Sequence, residues 1–221
     1  MTDLRRAAVV LLAVLGTVQG AHAQTRPARP VAAGGARVIA QTLHVPVFPG
    51  QMLSATLALP ALEETPLPAV LVLSVREPGS APVPAALAIA DALLARGIAV
   101  VQLDLPPLVD DAVGEPLVQP ADDAYAVLQF VREREDIDGD RTALVGVGDA
   151  AEHAARAAAL DEATRALVLL GARPVRSDTM GLPTGLPLLS LPLETRAAPL
   201  PSQPAASPVF DAAAFLTRHL Q

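Results

Sequence analysis

The chain has 221 residues, 16 of them basic and 23 acidic, and a net charge of −7, an acidic balance that excludes non-specific electrostatic binding to nucleic acid or to an anionic membrane surface. Every basic residue is Arg with no run that would track a phosphate backbone, and the absence of cysteine excludes disulfides, thiolate metal sites and a cysteine nucleophile. Aromatic content is 2% without Trp, so a stacking platform for sugars or bases would rest on Tyr125 and four Phe.

Arg5 and Arg6 precede an apolar run from Ala7 to Leu15, and Ala21-His22-Ala23 offers the small residues that a signal peptidase accepts. This predicts an export signal over residues 1–23, cleaved before Gln24. The run is shorter than the roughly 20 apolar residues that span a bilayer, so no stable membrane span is expected after cleavage. Export places the product in a periplasmic or extracellular compartment. What remains, 221 residues less 23, suits a single domain.

Residues 24–40 are rich in Pro, Ala and Gly without an apolar period and read as a flexible leader to a domain over 41–221. Leu43, Val45 and Val47, then Leu53, Ala55, Leu57 and Leu59, alternate on either side of Pro49-Gly50, which predicts an antiparallel hairpin. Ala69 to Ser74 is a run without alternation, as a strand buried on both faces requires. A helix is predicted over Ala85 to Arg96 from Leu87, Ala90, Asp91 and Leu94, with Gly97 at its left-handed end and a strand from Ile98 to Asp104. Asp122 and Asp123 open a second helix, with Ala124, Val127, Leu128 and Val131 on one face and its end near Glu135. Strand Thr142 to Gly146, helix Asp149 to Leu160, strands Ala166 to Leu170 and Leu186 to Leu191, and a helix from Asp211 to His219 complete the series. This alternation predicts an α/β fold, a parallel, doubly wound sheet flanked by helices and preceded by the hairpin.

From Val45 onward the order of segments resembles the α/β-hydrolase superfamily, in particular its secreted, dienelactone-hydrolase-like esterases and peptidases. LPAVLVLS resembles the strand that runs into the family's His-Gly oxyanion loop, and ALLARGIAVVQLD the helix, glycine and strand that come next. DDAYAVLQFVREREDIDGDRTALVGVGDA resembles the family's helix, its Ile-Asp-x-x-Arg lead-in and the strand feeding the nucleophile elbow. There the family carries Gly-x-Ser-x-Gly, whose small residues permit the strained turn that lifts the serine. The aligned residues are Gly146, Val147, Gly148, Asp149 and Ala150, so the nucleophile position holds glycine. The oxyanion loop reads Ser74-Val75-Arg76-Glu77-Pro78-Gly79. Glu194 falls at the position of the family's acid, yet no histidine lies between Thr195 and Phe210 to take a serine's proton. His44, His153 and His219 lie elsewhere, and the segment from Gly171 to Leu186 is short for a lid. The resemblance therefore implies an abbreviated hydrolase-like fold without serine catalysis, a binding or accessory protein for an unidentified small molecule or protein. It implies no cofactor.

The alternative is a serine hydrolase with a relocated constellation, Ser74 or Ser190 with Asp104 or Glu194. Asp149 stands one place after the central elbow position and is expected to cap the following helix rather than to attack substrate. Asp136, Asp138 and Asp140 match a calcium loop only in part, since its glycine and final glutamate are replaced by Arg141 and Val147, and a solvated turn with no metal is expected. Asp104, Asp110 and Asp111 lie where open α/β sheets bind ligands but are expected to face solvent. His153, four residues after Asp149, is expected to form a surface pair with it. Gly146-Val147-Gly148 lacks the third glycine of a dinucleotide-binding turn.

Overall fold

The computed structural model describes residues 29–33, 36–48, 51–61, 66–107, 120–171, 181–192 and 207–221. Strand β2 (Ala36–Phe48) and strand β3 (Gln51–Pro60) form the expected antiparallel hairpin, with Thr42 opposite Thr56 and His44 opposite Ser54. The register shifts between Pro46 and Phe48, where proline removes a ladder donor. Leu43, Val45, Ala55 and Leu57 on one face of the hairpin are buried.

The described part of the segment expected to be a leader, residues 29–33 and 36–40 of 24–40, differs. It carries strand β1 (Arg29–Ala33), antiparallel to β2, and the first residues of β2 itself. Val38 is 4% exposed and packs in the core. Pairing of this edge runs through backbone hydrogen bonds, which are not encoded in an apolar period.

The remaining strands are β4 (Leu67–Val75), β5 (Ala99–Leu105), β6 (Ile137–Val147), β7 (Leu167–Leu170) and β8 (Leu188–Leu191). Together they make an eight-stranded mixed sheet in the order β1-β2-β3-β5-β4-β6-β7-β8. From β5 to β8 every neighbour is parallel, and β3 joins β5 antiparallel. Helices α1 (Pro84–Leu94) and α4 (Pro208–Leu220) cover one face; α2 (Pro120–Arg132) and α3 (Ala150–Ala159) cover the other. β4 is buried from Leu67 to Ser74, as its unbroken apolar run requires.

The buried stripe of α1 is Ala86, Ile89, Ala90, Leu93 and Leu94, rotated from the one read in the sequence. Leu87 is 42% exposed. Gly97 ends the turn at φ 77, its amide donating to the Leu94 carbonyl. Below the sheet a buried ion pair ties three elements together. Arg132 at the end of α2 donates twice to Thr142 of β6, at 2.8 and 2.6 Å, and twice to Asp161 after α3, at 2.7 Å each.

Candidate functional site

The candidate elbow lies where β6 gives way to α3. Gly148 takes φ 61, its amide donates to the Leu170 carbonyl at 2.7 Å, and its own carbonyl accepts from the Ala151 amide at 3.1 Å. Gly146 packs so closely under α3 that a Cβ there would lie 2.5 Å from the Ala151 Cα and 2.7 Å from the Ala154 Cβ. At Gly148 the opposite holds, since a Cβ would meet nothing within 4 Å. The turn that the elbow motif demands is thus present, with open space above its centre and no side chain in it. Asp149 occupies the cap position of α3, in helical conformation and without a side-chain cap hydrogen bond, so it fills the expected place but not the expected bond.

Among the described residues no histidine makes a side-chain hydrogen bond at this turn. His44 pairs with Ser54 across the hairpin, Nδ1 lying 3.3 Å from Oγ. His219 stacks on Phe215 in α4, ring centroids 4.5 Å apart. His153 lies in α3, where burial first and Arg156 second hold its imidazole below the usual value despite the opposing pull of Glu152. No hydrogen bond joins it to Asp149 among the described residues. Glu194, Asp110 and Asp111 lie outside the described residues. Ser190 is exposed on β8, with β7, β6 and β4 between it and the strand that carries Asp104.

Ser74 and Asp104, by contrast, are brought together. They sit opposite each other on β4 and β5, and Ser74 Oγ donates to Asp104 Oδ1 at 2.6 Å. Arg76 holds the other oxygen of the carboxylate, its Nε at 2.7 Å and its Nη2 at 2.6 Å, and donates from Nη1 to the Ser80 carbonyl at 2.7 Å. Both carboxylate oxygens are thereby engaged, and no imidazole joins the network among the described residues. The Arg76 amide is committed as well, to the Leu105 carbonyl at 2.9 Å. Asp104 therefore faces solvent as expected, but from a strand end and within an ion pair rather than from a loop. Asp136 lies just before β6, whereas Asp138 and Asp140 belong to the strand rather than to the expected turn, and Asp136 and Asp138 pair with Arg134 and Arg141 instead of converging on a common point. No group of three or more metal-ligating side chains occurs among the described residues.

This network borders a cavity of about 530 Å³ on the α1 face of the sheet. Its floor continues across β2, β3 and β5 with Thr42, Ser54, Thr56 and Gln102, and its wall is the start of α1, with Val83, Ala86 and Leu87. Gly148 does not line it. These floor residues were not singled out in the sequence, although the signal was there: in a hairpin whose odd-numbered residues face the core, Thr42, His44, Ser54 and Thr56 must share the other face. A second cavity, of about 570 Å³, lies at the opposite end of the strands around Arg165, Glu162 and His219.

No family model matches the chain, and no curated protein does. Among solved structures, a glucuronoyl esterase from Teredinibacter turnerae superposes with a TM-score of 0.52 at 18% identity, over 68% of this chain and 45% of that one. An acetyl xylan esterase from Paenibacillus gives 0.49 at 19% identity, over 67% of this chain and 53% of that one. The chain thus spans about half the length of the solved structures it matches. At this identity the likeness shows the fold alone, an α/β-hydrolase-like arrangement of a mostly parallel mixed sheet flanked by helices.

Proposed function

We propose that this chain is an exported α/β-hydrolase-fold protein that has given up serine catalysis and serves as a binding or accessory protein. One observation carries the reading: at the turn where the fold presents its nucleophile, Gly148 supplies the backbone and nothing to attack with. A serine elsewhere would need a base, and the buried Ser74 hydroxyl is bonded to a carboxylate already clamped by Arg76. Export rests on the amino-terminal pattern of Arg5, Arg6, the apolar run and Ala21-His22-Ala23. Among the described residues no helix is long and apolar enough to cross a membrane, which is compatible with that reading.

Fluorophosphonate labelling, read by intact mass, tests it. The folded protein is expected to remain unlabelled, like a heat-denatured control. A stoichiometric adduct formed only by the folded protein would reveal an activated serine and overturn the reading in favour of a relocated hydrolase.

A further inference from the structure

The cavity beside α1 is built from two rows of side chains fixed by strand pairing. Thr42, Thr56 and Gln102 follow one another across β2, β3 and β5 in register. One step further along the strands come Ser54, whose partner His44 on β2 lies outside the lining, and Asp104 and Ser74, opposite each other. Neighbours in such an array stand roughly 5 Å apart across strands and roughly 7 Å apart along them. Thr42, Thr56 and Gln102 make no side-chain hydrogen bond among the described residues, so two hydroxyls and an amide face the cavity with their bonding capacity unspent. On this floor Asp104 and Arg76 neutralise each other at 2.6 Å, and the exposed Glu77 is a further ionic group in the lining. The facing wall is aliphatic, formed by Pro82, Val83 and Leu87.

We infer that this cavity binds a small, uncharged, polyhydroxylated molecule. Its hydroxyls would meet the Thr42, Thr56 and Gln102 side chains and the one lone pair of Asp104 Oδ1 that Ser74 leaves open, while its C–H face lies against α1. An anion is disfavoured, because it would compete with Asp104 for Arg76 and face Glu77, and a cation would have to draw Asp104 from Arg76 or rest on the solvent-exposed Glu77 alone. A volume of about 530 Å³ falls within the roughly 300–1,000 Å³ of small-molecule sites. The inference rests on the proposed binding role and supplies its place and ligand class.

The test is a titration of the purified full chain with methyl α-D-glucopyranoside and myo-inositol, followed by amide chemical shifts. Melting temperature is not the readout, since sugars stabilise proteins generally by exclusion from their surface. Saturable shifts centred on Thr42, Thr56 and Gln102 are expected, weakened at least about tenfold in the double variant Thr56→Val, Gln102→Leu, which deletes two hydrogen-bonding partners. Glucose 6-phosphate and glucosamine, of like ring size but opposite charge, are expected to bind more weakly. The inference is overturned if the neutral probes leave the cavity amides unmoved, if the double variant binds as the parent does, or if a charged probe binds better. Labelling by fluorophosphonate is scored separately. Polyol binding without an adduct supports both readings, an adduct with polyol binding removes only the loss of catalysis, and neither signal removes only the cavity assignment.

Discussion

Gly146 and Gly148 are two glycines two residues apart, retained for opposite reasons. At Gly146 the constraint is space: a methyl group would press on the Ala151 backbone at 2.5 Å, and neither strand nor helix can yield cheaply. Gly146→Ala should therefore cost about 1–3 kcal/mol, as overpacking does, measurable as a lower midpoint in urea. At Gly148 the space is open and the constraint is conformational. At φ 61 an L-residue is disfavoured by roughly 1–2 kcal/mol, so Gly148→Ser should fold with a loss of that order. It should not hydrolyse esters, since among the described residues no histidine is hydrogen-bonded to a carboxylate that would orient it as a base; appreciable turnover on a panel of activated esters would show that a base has been overlooked. The sequence revealed the identity of these residues and the turn they belong to. It could not reveal that Asp149 would hold the cap position without making the bond, because that depends on ψ at a single residue.

Among the elements, the join between α2, β6 and the end of α3 is the most tightly specified. Burial alone would raise the Asp161 carboxyl, but hydrogen bonds from Arg132 and Thr164 outweigh it and hold the group below the usual carboxylate range. Asp161→Ala would strand the Arg132 guanidinium, 11% exposed, without its counter-ion and should cost about 3–5 kcal/mol, readable by chemical denaturation. At the other end of the sheet, a chain starting at Gln41 loses Val38 from the core and should be less stable than one starting at Ala36 by about 1.5–3 kcal/mol, by the same measurement. Periodicity made nearly every element legible, because β4, β7 and the apolar faces of α2 and α3 bury what their patterns offer. It failed where burial does not decide. β1 is held to β2 by backbone pairing, and α1 was rotated because Leu87, apolar in sequence, belongs to the wall of a cavity. The polar floor escaped notice for a related reason. Hydroxyls on alternate residues resemble any solvated strand face until the strand order places β3 beside β5 and assembles them.

For the whole molecule, two buried carboxyls pull stability in opposite directions with pH. Asp161, held low, contributes stability that is complete above the ordinary carboxylate range and is lost as pH falls through its lowered value. Asp123 is raised, first by burial and second by Asp122, and its Oδ1 has no partner among the described residues. Its charged form is the unfavourable one in the fold, so it detracts from stability increasingly as pH rises from its unfolded value through its folded one. Asp123→Asn should therefore raise the melting temperature near pH 7 and leave it nearly unchanged near pH 3; an equal effect at both would point to a role in packing rather than in titration. The hairpin carries a consequence for heredity as well. Thr42, His44, Ser54 and Thr56 alternate with Leu43, Val45, Ala55 and Leu57, so the residues that bury themselves also dictate which ones look outward. A slip of one position would turn hydroxyls inward and leucines outward together. Selection for a folded hairpin thereby keeps the polar array aligned without acting on it, and its lineage can exchange one hydroxyl for another while the lattice that spaces them endures.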